Sequence, residues 1–183
     1  MSDTFRKSGP ASALEMFQAE ADGLEELRAA NEVRVPEVIE CGVANGESYL
    51  VIERLNLGRA TTDAAQRFGT QLAKLHRHTQ DRFGWFRDNT IGPTPQINDY
   101  SDDWIGFFRK HRLDFQVDLA ARNGYDLKDL GTRVSERLPA LFEGYDPAAS
   151  LLHGDLWGGN WGVVDDEPVI FDPAVYYGDR ESD

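Results

Sequence analysis

Two acidic side chains and one amide near the C-terminal end of the chain have the types and spacing of a phosphoryl-transfer site. Asp155 and Asn160 lie in the segment LLHGDLWGGN (151–160), and Asp172 follows in VIFDP (169–173). Phosphoryl transfer to a hydroxyl group needs a carboxylate beside the attacking oxygen. It also needs a second carboxylate and an amide oxygen that hold magnesium against the nucleotide phosphates. We therefore predict Asp155 as the catalytic base, and Asn160 and Asp172 as the magnesium ligands.

The elements around these residues are suited to bring them together. A glycine-containing turn (154–159) follows an apolar pair, so the backbone can approach a ligand closely. Residues 161–164 and 169–171 have the pattern of two short strands joined by the turn-forming sequence DDEP (165–168). Such a hairpin would return Asp172 to the edge where Asp155 lies. We interpret His153 as a structural residue that bridges the loop backbone to the core, and assign it no chemical role.

A nucleotide also needs a cation near its phosphates and a carboxylate that positions this cation. Lys7 is the candidate cation because it precedes the first helical pattern. Glu20 lies within that helix, beside the apolar stripe that contains Phe17 and Ala21. The assignment of Lys7 depends on the downstream motif, since a lysine near a terminus is most often only solvated.

Apolar periodicity predicts the elements that must position these residues. Residues 11–30, 61–80, 101–123 and 127–142 have helical spacing, with Ser12 capping the first helix and the Thr-Thr-Asp sequence at 61–63 capping the second. Residues 33–39 and 48–55 are predicted strands joined by a turn, although Pro36 makes the first an edge or broken strand. Residues 81–100 lose periodicity and are predicted to form a long ordered or functional loop.

The second predicted strand leaves into a connector (53–58) that leads to the helical part of the chain. Adenine stacks in seams of this kind and bonds to exposed backbone. We therefore place Glu53 and Leu55 among the nucleotide-binding candidates, with an ordinary strand end as the alternative.

Composition excludes several classes of function. With 19 Lys and Arg against 32 Asp and Glu, the net charge is −13, which disfavours nucleic acid and anionic membranes as partners. The single cysteine, Cys41, excludes an internal disulfide and favours a reducing compartment. Four histidines and one cysteine without clustered spacing disfavour a zinc site. No signal peptide or membrane-spanning run is present, so we expect a cytoplasmic protein of one domain or two small lobes.

The chain resembles the fructosamine/ketosamine kinase family, a branch of the protein-kinase-like and aminoglycoside-phosphotransferase-like fold, over nearly its whole length. The resemblance rests on the segments MFQAEADGL (16–24), LAKLH (72–76), FGW (83–85), DNTIGPTPQ (88–96), DWIGFF (103–108), LHGDLWGGN (152–160) and FDPAVYYG (171–178). Residues 91–96 and 156–160 are distinctive of this branch, whereas His-Gly-Asp with a downstream Asp also occurs in its antibiotic-modifying relatives.

The resemblance implies an α+β, protein-kinase-like two-lobed fold, with residues 1–57 in a partial N-terminal lobe and 58–183 in a partial helical C-terminal lobe. It implies ATP- and Mg²⁺-dependent phosphorylation of a sugar hydroxyl on ketosamines, free or protein-bound, which is a deglycating activity. Asp155 would accept the hydroxyl proton, Lys7 would contact phosphates and Glu20 would pair with Lys7. Trp157, next to the base, is either an aromatic wall against the substrate or a side chain packed under the catalytic loop.

Two features depart from the family pattern. Strands and a Gly-rich turn normally precede the lysine that Lys7 resembles, and further helices normally follow the aspartate that Asp172 resembles. From sequence we therefore expect a chain truncated at both ends. An aminoglycoside- or choline-type phosphotransferase and a catalytically impaired nucleotide-binding fragment are the alternatives to a ketosamine kinase.

Overall fold

Helices and strands are mixed along residues 3–183, which the computed structural model describes. The helices are α1 (Leu14–Ala30), α2 (Thr62–Leu75), α3 (Trp104–Phe108), α4 (Phe115–Arg122) and α5 (Lys128–Leu141). The strands are β1 (Thr4–Pro10), β2 (Val38–Ala44), β3 (Glu47–Glu53), β4 (Thr79–Gln80), β5 (Asn89–Ile91), β6 (Thr94–Gln96), β7 (Ala149–Leu152), β8 (Trp161–Val164), β9 (Glu167–Ile170) and β10 (Tyr176–Gly178). All strand pairs within the named sheets are antiparallel, in agreement with the predicted α+β class.

The first part of the molecule is a sheet in the order β1–β3–β2, against which α1 packs. The central strand β3 pairs on both sides, and its Leu50 and Ile52 are buried. Apolar periodicity does not predict β1, because its residues are mostly polar and partly exposed. It forms a strand through its pairing with β3, in which Lys7 lies opposite Leu50.

Helix α1 confirms the predicted stripe, since Phe17, Ala21, Leu24 and Leu27 are all buried. The predicted cap at Ser12 is wrong. Residues 11–13 form a 3₁₀ turn instead, and the residue before α1 makes no capping hydrogen bond with its side chain. The chain enters this turn directly from β1, so strand pairing decides where the helix starts.

The first predicted strand begins later than its sequence pattern indicates. The structure has β2 from Val38, and the residues before it run separately toward the hairpin of β8 and β9. There the Ile170 amide donates to the Arg34 carbonyl oxygen at 3.0 Å. Pro36 lacks an amide hydrogen to contribute to a sheet, which is consistent with a strand that starts beyond it.

The second part of the molecule contains the helices and three further β units. Thr61 Oγ1 accepts from the Ala64 amide at 3.1 Å, which confirms the predicted cap of α2. The predicted 101–123 helix is interrupted, because residues 109–114 form a π-helical segment between α3 and α4. The predicted loop 81–100 contains the β5–β6 hairpin. The β8–β9 hairpin and α5 lie where the sequence predicts them.

One apolar cluster connects the two parts and fixes their relative position. It includes Leu27 of α1, Leu50 of β3, Leu75 of α2, Leu152 of β7 and Ile170 of β9, each at most 1% exposed. Burial of a side chain of this size contributes about 1.5–3 kcal/mol. The residues where the first and second parts of the molecule meet are therefore held by a shared core. Within residues 3–183, no helix is long and apolar enough to cross a membrane.

Candidate active site

A cleft of about 580 Å³ opens where β1, α1 and the β5–β6 hairpin meet the turn after β7 and the segment after β9. It brings together six of the eight side chains predicted from the sequence. These are Lys7, Glu20, Asp155, Trp157, Asn160 and Asp172. Because they come from positions along almost the whole chain, only the fold places them on one cavity.

Lys7 connects the two sides of this cleft. Its Nζ lies 2.5 Å from Glu20 Oε1 and 2.7 Å from Asp172 Oδ1. Burial opposes the charge of Lys7, but the two carboxylates outweigh burial and raise the pKa of the ammonium group. Lys7 is therefore a cation at physiological pH and is available to an anionic ligand.

Glu20 lies on the face of α1 that is turned toward the cleft, and its side chain is 14% exposed. Burial raises the pKa of this carboxyl group, and the charge of Lys7 works against that rise. The contact of 2.5 Å is that of a charge-assisted hydrogen bond, so Lys7 and Glu20 form an ion pair. The pair fixes the direction of the lysine side chain.

Asp155 and Asn160 are joined within the turn that follows β7. Asn160 Nδ2 donates to the Asp155 carbonyl oxygen at 2.9 Å and to Asp155 Oδ2 at 3.1 Å. It also reaches the carbonyl oxygen of Asp172 at 3.4 Å. The amide group of one side chain thus connects the predicted base and the chain around the predicted metal ligand.

Backbone conformation shows how tightly this region is packed. Gly154 has a φ of +82°, and a Cβ atom there would overlap the carbonyl oxygen of Ala174. Asp172 has a φ of +57°, a left-handed conformation that residues other than glycine adopt at an energetic cost. The hydrogen bond from the Phe171 amide to the Asn160 carbonyl oxygen, 3.0 Å long, helps to hold this conformation.

His153 bridges the loop to the core, as the sequence predicts. It is fully buried, and its Nε2 lies 3.0 Å from the carbonyl oxygen of Phe171. Its Nδ1 accepts from the Asp155 amide at 3.3 Å, which leaves Nε2 as the donor of a neutral imidazole. Burial lowers the pKa of His153, consistent with a neutral structural residue.

Asp183 anchors the turn that follows β7, a role that the sequence does not predict. Its two carboxylate oxygens accept from the amides of His153 and Gly154, both at 2.9 Å, and one of them lies 3.0 Å from His76 Nε2. Its side chain is 1% exposed. No sequence pattern reveals this role, because Asp183 is 30 and 29 positions from the amides of His153 and Gly154, and the contact depends on the path of the chain.

Trp157 projects into the cleft rather than packing under the turn. It is 64% exposed, and its ring lies across Gly159, where a Cβ atom would overlap it. Trp157 therefore lines the cavity, and its role as an aromatic wall against the substrate stays a prediction.

Glu53 and Leu55 line a second cavity of about 310 Å³ that adjoins the first. The walls of this cavity are mainly apolar and include Phe5, Ile52, Leu55, Leu57 and Phe171. The carboxylate of Glu53 is engaged elsewhere, since its Oε1 lies 2.5 Å from Arg34 Nη2 and its Oε2 accepts from the Glu37 amide at 3.3 Å. The Glu53 amide is engaged as well, since it donates to the Glu37 carbonyl oxygen at 2.8 Å.

The β5–β6 hairpin, which lies within the predicted loop 81–100, forms a wall of the main cavity. Thr90, Gly92 and Pro93 line the cavity. The Gly-Pro dipeptide inside the distinctive segment 91–96 is a turn signal that marks the hairpin tip. Its proximity to Trp157 is a tertiary result.

The oxygen atoms of Asn160 and Asp172 are of the type that Mg²⁺ prefers. Mg²⁺ is usually held by one or two carboxylates together with substrate phosphates, rather than by a closed cage of protein ligands. In the part of the chain described here, 3–183, no three His, Cys, Asp or Glu side chains are grouped to hold a metal ion. The predicted role of Asn160 and Asp172 as magnesium ligands stays a prediction.

Comparison with known proteins gives a consistent family. The family model described as fructosamine kinase matches residues 1–183. The probable ketoamine kinase of Synechocystis sp. is 45% identical over 181 residues, a match that covers 98% of this chain and 61% of that protein. The chloroplastic protein-ribulosamine 3-kinase of Oryza sativa subsp. indica is 41% identical over 174 residues, covering 92% of this chain and 51% of that protein.

Two solved structures have the same fold. A candidate fructosamine-3-kinase from Haemophilus somnus 129PT matches with a TM-score of 0.90 and 33% identity, covering 97% of this chain and 60% of that one. A second, from Thermobifida fusca YX-ER1, matches with a TM-score of 0.83 and 33% identity, covering 97% and 62%. These matches confirm the predicted fold class. The chain spans between 51% and 62% of the length of these four proteins.

Proposed function

Since this chain belongs to the fructosamine kinase family, we propose that it forms the catalytic part of a kinase that phosphorylates a sugar hydroxyl of ketosamines with ATP. The observation that carries the proposal is the contact of Lys7 with both Glu20 and Asp172 on the cleft that also contains Asp155 and Asn160. A paired lysine, a base and two oxygen ligands are the parts that phosphoryl transfer requires.

In this proposal the nucleotide occupies both cavities, at the seam between residues 1–57 and 58–183. The adenine ring enters the apolar cavity beside Leu55, where Phe5 and Phe171 provide nonpolar surface. The phosphates extend toward Lys7, whose ammonium group offsets their charge. Bound magnesium would neutralise further charge on the phosphates, with Asn160 and Asp172 as its protein ligands.

The acceptor then lies on the Trp157 side of the main cavity. Asp155 accepts the proton of the attacking hydroxyl group, the new bond forms between that oxygen and the γ-phosphorus, and the bond from the γ-phosphorus to the bridging oxygen of ADP breaks. Asn160 holds Asp155 through the 3.1 Å hydrogen bond to Oδ2. This bond directs Asp155 in the free site, before a substrate arrives.

The acceptor class comes from the family and from the names of the relatives, among which are a ketoamine kinase and a protein-ribulosamine 3-kinase. The strongly acidic chain, with a net charge of −13, supports an acceptor that carries an amine. Fructosyl-lysine and ribulosyl-lysine are the acceptors to test first, with kanamycin and choline as comparison alcohols.

The test is ATP- and Mg²⁺-dependent transfer by the full protein, followed by ADP release and by the phosphorus NMR signal of the product. The Asp155→Asn variant is expected to lose about 10²- to 10⁴-fold in kcat while its affinity for Mg²⁺–ADP stays the same, because a base acts on the chemical step. Asp165→Asn, in the exposed turn between β8 and β9, is the matched control and keeps full activity. Absence of transfer to both ketosamines would end the proposal.

A further inference from the structure

The segment of residues 87–98, which includes the β5–β6 hairpin, contacts the two elements that carry the carboxylates bound to Lys7. One of them, Glu20, belongs to α1. The other, Asp172, belongs to the segment between β9 and β10. We propose that Arg87 is a positioning residue that holds α1 against this segment, so that Glu20 stays in register with Lys7 and Asp172.

Arg87 binds α1 on both sides of Glu20. Its Nη1 lies 2.5 Å from Asp22 Oδ2, and its Nη2 donates to the carbonyl oxygen of Glu15 at 3.2 Å. The side chain of Arg87 is 25% exposed and that of Asp22 is 36% exposed, so water screens this pair only in part. A guanidinium group that binds two points along a helix fixes both its rotation and its position along the axis.

The segment that carries Arg87 is itself rigidly attached to the chain after Asp172. Asn89 Nδ2 donates to the carbonyl oxygen of Val175 at 2.7 Å, and Gln96 Nε2 donates to that of Ala174 at 2.9 Å. Asn89 and Gln96 are buried and bonded to each other at 2.8 Å. These bonds make the hairpin part of the same rigid unit as the metal-ligand segment.

Arg87 is attached to this unit through its own backbone. Asn98, which is 1% exposed, donates from Nδ2 to the carbonyl oxygen of Arg87 at 3.2 Å and to Asn89 Oδ1 at 3.1 Å. Arg112 Nη2 in turn donates to Asn98 Oδ1 at 2.8 Å. A buried network in which the amide side chains are hydrogen-bonded in this way favours one geometry.

Direct packing leaves little room for α1 to move at the same place. Gly23 faces Val175 and Pro173, and a Cβ atom at Gly23 would lie 3.2 Å from Val175 Cγ2. Further along α1, Tyr177 donates from its hydroxyl group to Glu26 Oε1 at 2.6 Å. The helix is therefore held at several points, and Arg87 supplies the contacts that flank Glu20.

The inference rests on the proposed function for its activity test and on amide exchange for an independent test. In the full protein, Arg87→Met is expected to lower kcat for ketosamine phosphorylation roughly 10- to 100-fold with an unchanged KM for the acceptor, because it displaces a group near the phosphates. Arg87→Lys retains the charge but loses the second contact, so its kcat should lie between those of the wild type and Arg87→Met. Arg82→Met, which removes the exposed pair of Arg82 and Asp102, is the matched control and keeps wild-type kcat.

A positioning role predicts a specific coupling. If Arg87 acts through Glu20, Arg87→Met causes no further loss of kcat in a Glu20→Gln background, whereas independent losses would multiply. An Arg87→Met protein with the kcat of Arg82→Met, or losses that multiply with Glu20→Gln, would overturn the inference. Where Arg87→Met does not fold, Asp22→Asn removes the same ion pair from the other side and is judged by the same criteria.

Hydrogen exchange separates failure of this inference from failure of the proposed function. Amides of α1 around residues 17–24 should exchange at least about threefold faster in Arg87→Met than in Arg82→Met, because the local opening of the helix costs less. If the wild-type protein phosphorylates no ketosamine, the proposed function fails and the exchange result alone decides. Faster exchange in Arg87→Met then supports the inference, and equal exchange in the two variants overturns it.

Discussion

The anchor at Asp183 gives the sharpest prediction for stability. Asp183→Asn preserves the shape of the side chain but replaces one of its two accepting oxygens with an NH₂ group. In the wild-type protein these oxygens accept from the amides of His153 and Gly154 at 2.9 Å each, and meet His76 Nε2 at 3.0 Å. The remaining oxygen of the asparagine can accept from only one of the two amides. The new NH₂ group then faces the N–H group of the other amide, so two donors meet.

The size of the effect follows from these bonds. Loss of one hydrogen bond to a charged acceptor costs about 1.5–3 kcal/mol, and a backbone amide left without a partner adds roughly 1 kcal/mol. Because the side chain of Asp183 is only 1% exposed, water cannot replace the lost bond. We expect a loss of about 3 kcal/mol in the free energy of unfolding. For a chain of this size that corresponds to a fall in Tm of roughly 6–12 °C.

Calorimetry and urea unfolding of the wild type and Asp183→Asn measure this change. Asp102→Asn is the matched control, since Asp102 also pairs with a cationic side chain, at 2.9 Å, but is 84% exposed. An exposed pair contributes at most about 1 kcal/mol, so this control should melt close to the wild type. If Asp183→Asn melts within about 2 °C of Asp102→Asn, the carboxylate does not anchor the turn and the reasoning is wrong.

Three further predictions concern the cleft. Gly154→Ala should lower the free energy of unfolding by at least roughly 2 kcal/mol, as measured by urea unfolding, since φ is +82° and the new Cβ overlaps the Ala174 carbonyl oxygen. Lys7→Met tests the raised pKa of Lys7. The charge of Lys7 contributes its full stability below the ordinary pKa of 10.5. That stability is lost as the pH rises through the higher pKa of the folded state. The difference in unfolding free energy from wild type should therefore stay constant between about pH 7 and about pH 9 and shrink above 10.5, whereas a decline that starts near neutrality would contradict it. Trp157→Ala should raise KM for the ketosamine several-fold and leave Tm within about 2 °C, because Trp157 is 64% exposed; a fall in Tm without a change in KM would assign it to packing.

The sequence by itself determines the local parts of the site. The types and spacing of Asp155, Asn160 and Asp172 predict one turn and one hairpin, and both form at the predicted positions, because each involves neighbouring residues whose pattern is visible in a short window. The cap at Thr61 is predictable for the same reason: donor and acceptor are three residues apart.

The tertiary structure alone decides which distant groups meet. Strand β1, which carries Lys7, exists because it pairs with β3, and the apolar pattern that would mark a strand is absent from its own residues. The hydrogen bond from Lys7 to Asp172 joins residues 165 positions apart, and that from Arg87 to Asp22 joins residues 65 positions apart. Ion pairs and buried polar bonds of this kind depend on the path of the folded chain, which local periodicity does not encode. The sequence therefore identifies the chemical groups, and the packing of α1, the β5–β6 hairpin and the turn after β7 around a shared core sets the distances between them.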